Sequence, residues 1–504
     1  MMDLARLDRE YVWHPFTQMR EWMGREPIVI VSGRGARLRD ARGREYLDAN
    51  ASIWTNLHGH RHPALDRAVQ RQLGKIAHVS ALGLANEPAS RLAERLVRMA
   101  HEHGATEIGP ELGRVFYSDD GSTALEVALK LAYEVARRTG RSPRPRFLSL
   151  QGAYHGDTVG AVSLGHIDLF HRAYRGLLFR SDAVMAPYCY RCPYNRAKPE
   201  RMDAREYRRC AWECLGQVER QLTRQRRKGH PYAAFVFEPL IQGAAGMIPQ
   251  PPGWLRQATD LARSHGALLI ADEVMTGFGR TGCGNQGATE PALADGRGQR
   301  GREASPATVS PQTAVGGRLL ACQAEGVQPD LLCLAKGLTG GYLPLAATLT
   351  TPEVFGAFLG DYSEFKTFFH GHSYTANPLG ASVALASLDL LESAGSCRAR
   401  TRLEAVLRQE LRTLWTLPQV GDVRQVGLVT GIELVRDWRT REPFPLELRA
   451  GMRVCAAMAR RGVLTRPIGN VVVLMPPYCM TTTEVRRMVA ALRQAVRSTL
   501  GRRA

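Results

Sequence analysis

The sequence predicts an α/β protein, in which a large domain built on a mostly parallel sheet is joined by a smaller α+β domain. Through the middle of the chain, short apolar runs alternate with helical patterns, and the runs end on polar or glycine-rich loops. From about residue 381 onward the pattern changes to longer helices and separate strands. Alternation of this kind indicates a parallel sheet whose strand carboxyl ends hold the ligand-binding groups.

The apolar runs predict the strands of the large domain in chain order. They are VFYS (115–118), RFLSL (146–150), AAFVFEP (233–239), ALLIADEV (267–274) and LLCLAKG (331–337). Helical periodicity follows in STALEVALKLAYEVARR and in WLRQATDLARSHG, and later in ASVALASLDLLES and EAVLRQELRTLW. VGLVTGIELV and NVVVLMPP predict strands of the smaller unit. We expect residues 1–75 to contribute to the small domain, 76–380 to form the large domain and 381–504 to complete the small one.

Residues 284–318 interrupt this alternation. They are rich in Gly, Ala, Pro, Ser and Thr and show no apolar periodicity. A segment of this composition has too little apolar surface to bury in a packed element. We therefore expect an exposed, mobile insertion at this point.

The net charge of +19 on 504 residues raises the question of nucleic acid. Lysine occurs only at positions 75, 130, 198, 228, 336 and 366, so scattered arginines supply most of the charge, and no nucleic-acid-binding motif accompanies them. We expect no nucleic-acid partner. No run reaches the ~20 apolar residues of a membrane helix, and the N-terminal residues lack the apolar core of a secretory signal. The sequence predicts a cytoplasmic protein without a membrane partner.

Four of the ten cysteines are grouped. Cys189 and Cys192 form C-x2-C, and Cys210 and Cys214 form C-x3-C further along the chain. This spacing is close to that of a zinc ribbon, but free thiols on a surface excursion account for it as well. Both interpretations stay open, and we assign no metal ligands.

Two carboxylates end the most apolar run, LLIADEVMTGFGRTG (268–282). An unpaired buried charge is costly, so Asp272 or Glu273 should have a cationic partner. Lys336 is the one lysine between an apolar strand and a glycine loop, a setting that lowers the pKa of an amine and suits it to Schiff-base formation. Asp272, on a neighbouring strand, would then pair with a protonated pyridine nitrogen. This combination indicates pyridoxal phosphate.

The sequence also contains candidate residues that could bind the phosphate and the ring of that cofactor. SDDGSTALE (118–126) places Gly121, Ser122 and Thr123 at a helix N-terminus, where free N–H groups and the helix dipole bind phosphate. GAYHGDT provides Tyr154, an aromatic side chain that can stack on the ring. Each signal alone also describes an ordinary helix cap or a packed tyrosine. Their occurrence in this order at successive strand ends favours the cofactor.

On these residues the chain resembles the class III, fold type I pyridoxal-phosphate aminotransferases over nearly its whole length apart from the insertion. KTFFHGHSYTANPLG resembles the segment with which that family reaches the neighbouring subunit, which implies a homodimer. The resemblance implies the following roles: Lys336 forms the Schiff base, Asp272 holds the pyridine nitrogen, Gly121 and Ser122 bind phosphate, Tyr154 stacks on the ring, Ser373 reaches the partner's phosphate and Gly371 binds substrate.

Three further segments resemble the branch of the family that acts in biotin biosynthesis: WHPFTQM (13–19), SIWTNLHGHRHP (52–63) and TRPIGNVVVLMPP (465–477). That branch converts 8-amino-7-oxononanoate to 7,8-diaminononanoate, usually with S-adenosylmethionine as amino donor. The resemblance implies that Arg466 binds the substrate carboxylate through its guanidinium fork and that Trp54 lines the substrate chain. Asp157 stands where relatives acting on ornithine have an arginine, which favours a cationic donor.

Two positions depart from the pattern of that branch. Phe16 and Ile53 stand where a tyrosine and a tryptophan are usual. Lysine is therefore the alternative donor, and another class III ω-aminotransferase or an aminomutase is the alternative activity. A non-enzymatic arginine-rich binding protein is a third interpretation, but it should have lost Lys336 or Asp272, and both are present.

Overall fold

The computed structural model describes residues 3–101, 110–284 and 317–501. The strands expected at 115–118, 146–150, 233–239, 267–274 and 331–337 all form. In the described residues the strands are β1 (Ile30–Arg34), β2 (Arg37–Asp40), β3 (Glu45–Asp48), β4 (Arg114–Ser118), β5 (Phe147–Leu150), β6 (Asp182–Val184), β7 (Ala234–Phe237), β8 (Ile241–Gln242), β9 (Ile248–Pro249), β10 (Leu268–Asp272), β11 (Leu331–Leu334), β12 (Ala346–Thr350), β13 (Val420–Val426), β14 (Val429–Asp437), β15 (Glu442–Pro443), β16 (Val463–Leu464), β17 (Pro467–Ile468) and β18 (Val471–Leu474).

The helices include those that the apolar periodicity predicts. In the described residues they are α1 (Leu4–Tyr11), α2 (Met19–Met23), the short turn α3 (Ala51–Trp54), α4 (Pro63–Leu73), α5 (Glu87–His101), α6 (Gly121–Arg138), α7 (Val159–Leu164), α8 (Asp168–His171), α9 (Ala204–Tyr207), α10 (Glu213–Arg227), α11 (Trp254–Ser264), α12 (Pro352–Gly356), α13 (Pro378–Glu392), α14 (Ser396–Leu411), α15 (Ala450–Arg460) and α16 (Thr482–Leu500).

A seven-stranded sheet with the order β4-β12-β11-β10-β7-β5-β6 forms the centre of the fold. Strand β12 pairs antiparallel with β4 and β11. The other neighbouring strands, from β11 to β6, pair parallel. The predicted α/β class with a mostly parallel sheet is confirmed. The parallel strands end at one edge of the sheet, and the loops that follow them meet there.

Both faces of this sheet are buried. Along β10, Leu269 and Ala271 belong to the core on one face, and Leu268 and Ile270 belong to the core on the other. Successive residues of a strand point to opposite faces, so near-continuous apolar runs are what a sheet covered on both sides requires. Helix α6 contributes to the second of these cores.

A separate core joins the two ends of the chain. It combines Ala36, Leu47 and Ala49 with residues from Leu403 to Val496. Strand β3 pairs parallel with β16, which brings the N-terminal segment into register with the C-terminal one. Helix α13, by contrast, contributes Ala381, Ala384, Leu388 and Leu391 to the large core. On this basis we propose that residues near the N-terminus and those beyond α13 form the small domain.

The predicted insertion, 284–318, lies almost wholly outside the described residues. Arg318, which the sequence analysis included in it, is buried, so the expected exposure does not hold at that residue. Its apolar neighbours Leu319 and Leu320 belong to the large core. None of the helices described above is both long enough and apolar enough to cross a membrane.

Candidate active site

A cavity of about 1140 Å³ lies where β4, β5, β7, β10 and β11 end. Ligand sites in proteins commonly measure about 300–1,000 Å³, so this cavity has room for more than one small molecule. Most of the predicted site residues line it: Trp54, Gly121, Ser122, Tyr154, Asp272, Lys336 and Arg466. Asp157, Gly371 and Ser373 do not belong to its lining.

Lys336 lies two residues after the end of β11, with a left-handed backbone (φ 44°). Burial lowers the pKa of its amine, and the negative charges of Asp272 and Glu238 oppose that effect. The Nζ atom lies 4.8 Å from the centre of the Trp54 ring. Among the described residues, no carboxylate forms an ion pair with this amine. Lys336 therefore presents a nucleophile to the cavity whose pKa is below that of an ordinary lysine.

The buried partner of Asp272 is His155, a residue that the sequence analysis did not identify. The Nδ1 atom of His155 lies 2.7 Å from Oδ2 of Asp272, and the N–H of Val274 donates to Oδ1 at 3.0 Å. Burial alone would lower the pKa of His155, but the hydrogen bond and the negative charges of Asp272 and Glu238 outweigh it and raise the pKa. The sequence analysis expected a cationic partner for the Asp272 carboxylate in the pyridine nitrogen of the cofactor, and the structure places the His155 imidazole beside it as well.

Glu273, the neighbour of Asp272, does not line the cavity but binds backbone N–H groups of a distant segment. Its carboxylate accepts the N–H groups of Ala321 (2.6 Å) and Cys322 (2.8 Å), just after the end of the 285–316 stretch. Burial raises its pKa to about 7, although these hydrogen bonds act in the opposite direction. Of the two adjacent carboxylates, Asp272 belongs to the cavity, and Glu273 anchors the returning chain.

Glu238, directly after β7, is a further cavity residue that the sequence analysis missed. It accepts the N–H of Gly243 at 2.7 Å and that of Tyr154 at 3.4 Å. Burial raises its pKa to about 7, against the effect of the His155 charge. Because Glu238 holds the backbone of Tyr154, it positions the loop that carries both the aromatic ring and His155.

The N-terminus of α6 forms a cradle of close backbone contacts. Asp120 caps the helix by accepting the N–H of Thr123, so Thr123 serves the cap. A Cβ atom added to Gly121 would lie 2.7 Å from Cγ1 of Val274. A Cβ atom on Gly156 would lie 2.0 Å from Oγ of Ser122, and Gly156 has φ +125°. Only glycine fits at position 156, and the helix amides at Gly121 and Ser122 can therefore face the cavity.

Trp54 lies at the end of a left-handed turn. Ala51, Ser52, Ile53 and Trp54 have φ values of 44°, 50°, 62° and 72°, and none of them is glycine. Left-handed backbone costs roughly 1–2 kcal/mol per residue for an L-amino acid. Backbone strain of this kind clusters at functional sites, where the surrounding structure holds it in place.

The mouth of the cavity combines an arginine with apolar side chains. Arg466 lines it, and no carboxylate among the described residues pairs with its guanidinium. Phe16 and Ile53 line it as well, and the Phe16 ring packs edge-on against Phe170, with 5.3 Å between the ring centres. The guanidinium of Arg466 thus lies beside a largely apolar wall of the cavity, without a carboxylate partner among the described residues.

The remaining predicted residues lie close to the cavity or outside it. The Tyr154 hydroxyl donates to Oδ2 of Asp157 at 2.6 Å, so Asp157 stands beside the ring that lines the cavity. Gly371 and Ser373 are exposed. The backbone carbonyl of Ser373 lies 2.9 Å from Nε2 of His78, a contact that joins two exposed loops.

The four grouped cysteines are free thiols, three of them between β6 and α10 and the fourth, Cys214, in the first turn of α10. Cys189 and Cys214 are buried, and burial raises the pKa of both thiols. Across residues 3–101, 110–284 and 317–501, no three His, Cys, Asp or Glu side chains are placed to hold a metal ion.

The family model for class-III aminotransferases matches residues 19–290 and 312–496. The chain is a class-III aminotransferase. This aminotransferase is 47% identical to the adenosylmethionine-8-amino-7-oxononanoate aminotransferase of Nitratidesulfovibrio vulgaris, over 98% of this chain and 81% of that one.

Two solved structures of transaminases share the fold of this chain. The crystal structure of adenosylmethionine-8-amino-7-oxononanoate aminotransferase from Methanocaldococcus jannaschii superposes with a TM-score of 0.82 at 36% identity and covers 98% of this chain and 99% of that chain. An amine transaminase from an uncultivated Pseudomonas species, in its PLP-bound form, superposes with a TM-score of 0.81 at 32% identity and covers 97% and 99%. The fold type expected from the sequence is confirmed for this aminotransferase.

Proposed function

We propose that this enzyme transfers an amino group from S-adenosylmethionine to 8-amino-7-oxononanoate and so forms 7,8-diaminononanoate for biotin biosynthesis. The names of its most similar relatives support this activity. The observation that carries it in the structure is Arg466, an arginine that lines the cavity without a described carboxylate beside it. The acceptor has a terminal carboxylate and a long apolar chain, which match this guanidinium and the apolar wall around it.

The cofactor is pyridoxal 5′-phosphate, and three features of the cavity fit it. Lys336 supplies an amine of lowered pKa. Asp272 supplies a carboxylate kept in place by His155. The glycine-lined cradle at Gly121 and Ser122 supplies helix amides for a phosphate. When bound, the cofactor supplies the electron sink that amino transfer requires.

We assign the residues of this cavity separate tasks in the reaction. Lys336 would bind the cofactor covalently, and its free amine would then accept and return the proton that the substrate carbon loses. Asp272 would hold the pyridine nitrogen, and His155 would keep the Asp272 carboxylate in position through its hydrogen bond. Tyr154 and Trp54 would enclose the reacting groups and exclude water from Lys336.

For the amino donor, we propose that Asp157 provides the anion that a sulfonium group would approach. It lies beside the Tyr154 ring, with its Oδ2 accepting from the tyrosine hydroxyl. A purine group could pack on the aromatic pair of Phe16 and Phe170, since stacking on an aromatic side chain contributes about 1–3 kcal/mol per base.

We also propose that the enzyme works as a homodimer. Several apolar side chains are strongly exposed on loops, including Leu82 (92% exposed) and Phe369 (76% exposed). Exposed apolar groups in such number indicate a protein interface. Gly371 and Ser373 lie in the same exposed region, and a second copy would bring them to the partner's cavity. Light scattering on the purified holoenzyme should give twice the chain mass.

A donor screen tests the reaction itself. Purified holoenzyme is incubated with 8-amino-7-oxononanoate and, separately, S-adenosylmethionine, lysine, glutamate or alanine, and 7,8-diaminononanoate is detected by mass spectrometry. We expect product with S-adenosylmethionine. Product with lysine and none with S-adenosylmethionine would reverse the donor assignment. Product with glutamate or alanine alone would refute the role of Asp157.

Arg466→Met tests the acceptor subsite. Losing a charge-assisted hydrogen bond costs about 1.5–3 kcal/mol, so the KM for 8-amino-7-oxononanoate should rise about tenfold to a hundredfold. Arg460→Met is the matched control, because Arg460 is an exposed arginine at the end of α15 and does not line the cavity. An unchanged KM in the Arg466 variant would exclude this residue as the carboxylate ligand.

A further inference from the structure

The turn that carries Trp54 needs an explanation beyond its own sequence. Four consecutive residues, 51–54, adopt left-handed backbone without a glycine among them. Within the turn, the N–H of Trp54 donates to the carbonyl of Asn50 at 2.9 Å, and the N–H of Thr55 donates to that of Ala51 at 3.0 Å. Backbone hydrogen bonds of this kind do not by themselves select this conformation over a right-handed one, since both hands of a turn can form them. Some group outside the turn must stabilise it.

That group is the carboxylate of Asp48, at the end of β3. It is buried, with 3% of the residue exposed. Its Oδ1 accepts the N–H of Ser52 at 3.1 Å and that of Asn50 at 3.3 Å. Its Oδ2 accepts the Ser52 hydroxyl at 2.9 Å and faces Nε2 of His60 at 3.1 Å. The backbone and the hydroxyl of Ser52 are thus both tied to one carboxylate.

The hydrogen bonds around His60 show that every partner of Asp48 donates. The N–H of Gly59 donates to Oδ1 of Asn56 at 2.7 Å, which fixes the orientation of that amide. The Asn56 amide nitrogen then donates to Nδ1 of His60 at 3.1 Å. Because Nδ1 accepts, Nε2 carries the hydrogen and donates to Asp48. An amide at position 48 could not accept from all of these donors.

The turn is coupled directly to the reacting lysine. The Trp54 indole N–H donates to Oδ1 of Asn50 at 2.9 Å, and the indole ring lies 4.8 Å from Nζ of Lys336. On the other side the turn rests on Gly341, where an added Cβ would lie 2.8 Å from the backbone of Asn56. Asp48 itself does not line the cavity. The turn connects it to Lys336 through the Trp54 indole.

We propose that Asp48 is a positioning residue for amino transfer: its carboxylate holds the left-handed turn 51–54 and thereby fixes the Trp54 indole beside Lys336. Burial raises the pKa of Asp48, but the hydrogen bonds from His60 and Ser52 outweigh it and keep the pKa below its usual value. These hydrogen bonds therefore favour the charged form of the carboxyl. The proposal rests on the proposed function for the role of Lys336 and Trp54.

Hydrogen exchange of the holoenzyme, measured by mass spectrometry on peptides covering residues 50–56, tests the first half of the proposal. Asp48→Asn should speed exchange in these peptides about tenfold or more, because it weakens hydrogen bonds to a charged group. Asp40→Asn is the matched control. Asp40 ends β2, is also 3% exposed, and also accepts two backbone N–H groups, from Arg42 and Arg44. It should leave residues 50–56 unchanged.

A double-mutant cycle tests the second half. Asp48→Asn should lower kcat/KM about tenfold in the native background and less than about twofold in a Trp54→Ala background, because coupled residues are not additive. Equal losses in both backgrounds would overturn the proposal, since Asp48 would then act on stability and not through Trp54. Unchanged exchange in residues 50–56 would overturn it as well, and this measurement does not depend on which substrate the enzyme uses.

A milder variant covers the case in which Asp48→Asn does not fold. Ser52→Ala removes only the hydroxyl bond to Asp48 and keeps the backbone one. It should speed exchange of residues 50–56 while the melting temperature stays that of the native enzyme. A normal exchange rate in this variant would contradict the proposed hold of Asp48 on the turn.

Discussion

Replacing His155 by leucine should destabilise the apoprotein more than the holoprotein. The imidazole is fully buried, and its Nδ1 lies 2.7 Å from Oδ2 of Asp272. Removing one partner of a buried ion pair typically costs 3–5 kcal/mol, because the remaining charge loses its compensation. In His155→Leu, Asp272 would keep the single hydrogen bond from the Val274 N–H. We therefore expect the unfolding free energy of the apoprotein to fall by about 3–5 kcal/mol.

The holoprotein should lose less stability, because the pyridine nitrogen of the bound cofactor would give Asp272 a second cationic partner. Urea unfolding of both forms, followed by circular dichroism, measures the two losses under the same conditions. His155→Asn should recover part of the loss, since its amide N–H can donate to Asp272 where Nδ1 did. The comparison of apoprotein and holoprotein thus tests the role of Asp272 without any measurement of turnover.

His166→Leu is the control for this experiment. His166 also lines the cavity, but burial lowers its pKa, and its Nε2 lies 3.2 Å from the Ser181 hydroxyl and not beside a carboxylate. Its loss should cost about 1 kcal/mol, as for one neutral hydrogen bond. Equal losses in apoprotein and holoprotein for His155→Leu would refute the pairing of Asp272 with the cofactor. A loss no larger than that of His166→Leu would refute the charge argument itself.

Four further outcomes follow from the site. Lys336→Ala should leave a folded protein without the visible absorption of the lysine-bound cofactor and without turnover; wild-type activity would contradict its assignment. Gly156→Ala should weaken cofactor binding, measured by absorbance titration, since its Cβ would lie 2.0 Å from Oγ of Ser122 in a backbone with φ +125°. Replacing residues 285–316 by a short Gly/Ser linker should preserve melting temperature and cofactor content, because the composition of this segment predicts no packed element and shortening a loop changes its closure entropy little. The pKa of Glu273 is raised to about 7, so its contribution to stability is present at low pH and is lost as the pH rises through about 7. Glu273→Gln should flatten the unfolding free energy between pH 5 and 8 by at most about 3 kcal/mol; parallel curves for the two proteins would contradict this.

The sequence could predict the residues that stand where strands and helices end. Lys336, Asp272 and Gly121 follow or open elements whose apolar periodicity is strong, and the carboxyl ends of parallel strands necessarily meet. Their convergence in one cavity therefore follows from local pattern and topology. Arg466 and Trp54 were found differently, from resemblance, because nothing in the local pattern distinguishes one arginine among many.

The contacts that sequence could not predict are those set by packing between distant segments. His155 and Asp272 are 117 residues apart in the chain, and a histidine in a loop has many ordinary uses. The left-handed turn at 51–54 carries no glycine to mark it, so only its contacts with Asp48 account for it. Gly371 and Ser373 lie outside the cavity of their own chain, and their assignment depends on a second copy.

The adjacent carboxylates Asp272 and Glu273 show how one strand end supplies two unlike groups. Successive side chains along a strand point to opposite sides, so only one of the two can face the cavity. Asp272 does so, with an imidazole of raised pKa beside it. Glu273 meets the backbone N–H groups of Ala321 and Cys322, the Cys322 thiol and a threonine hydroxyl, without a described cation, and burial raises its pKa. The two carboxyls therefore do not share a proton as a catalytic pair. Asp272 faces the cofactor cavity with His155 beside it, and Glu273 holds the backbone at Ala321 and Cys322 in place.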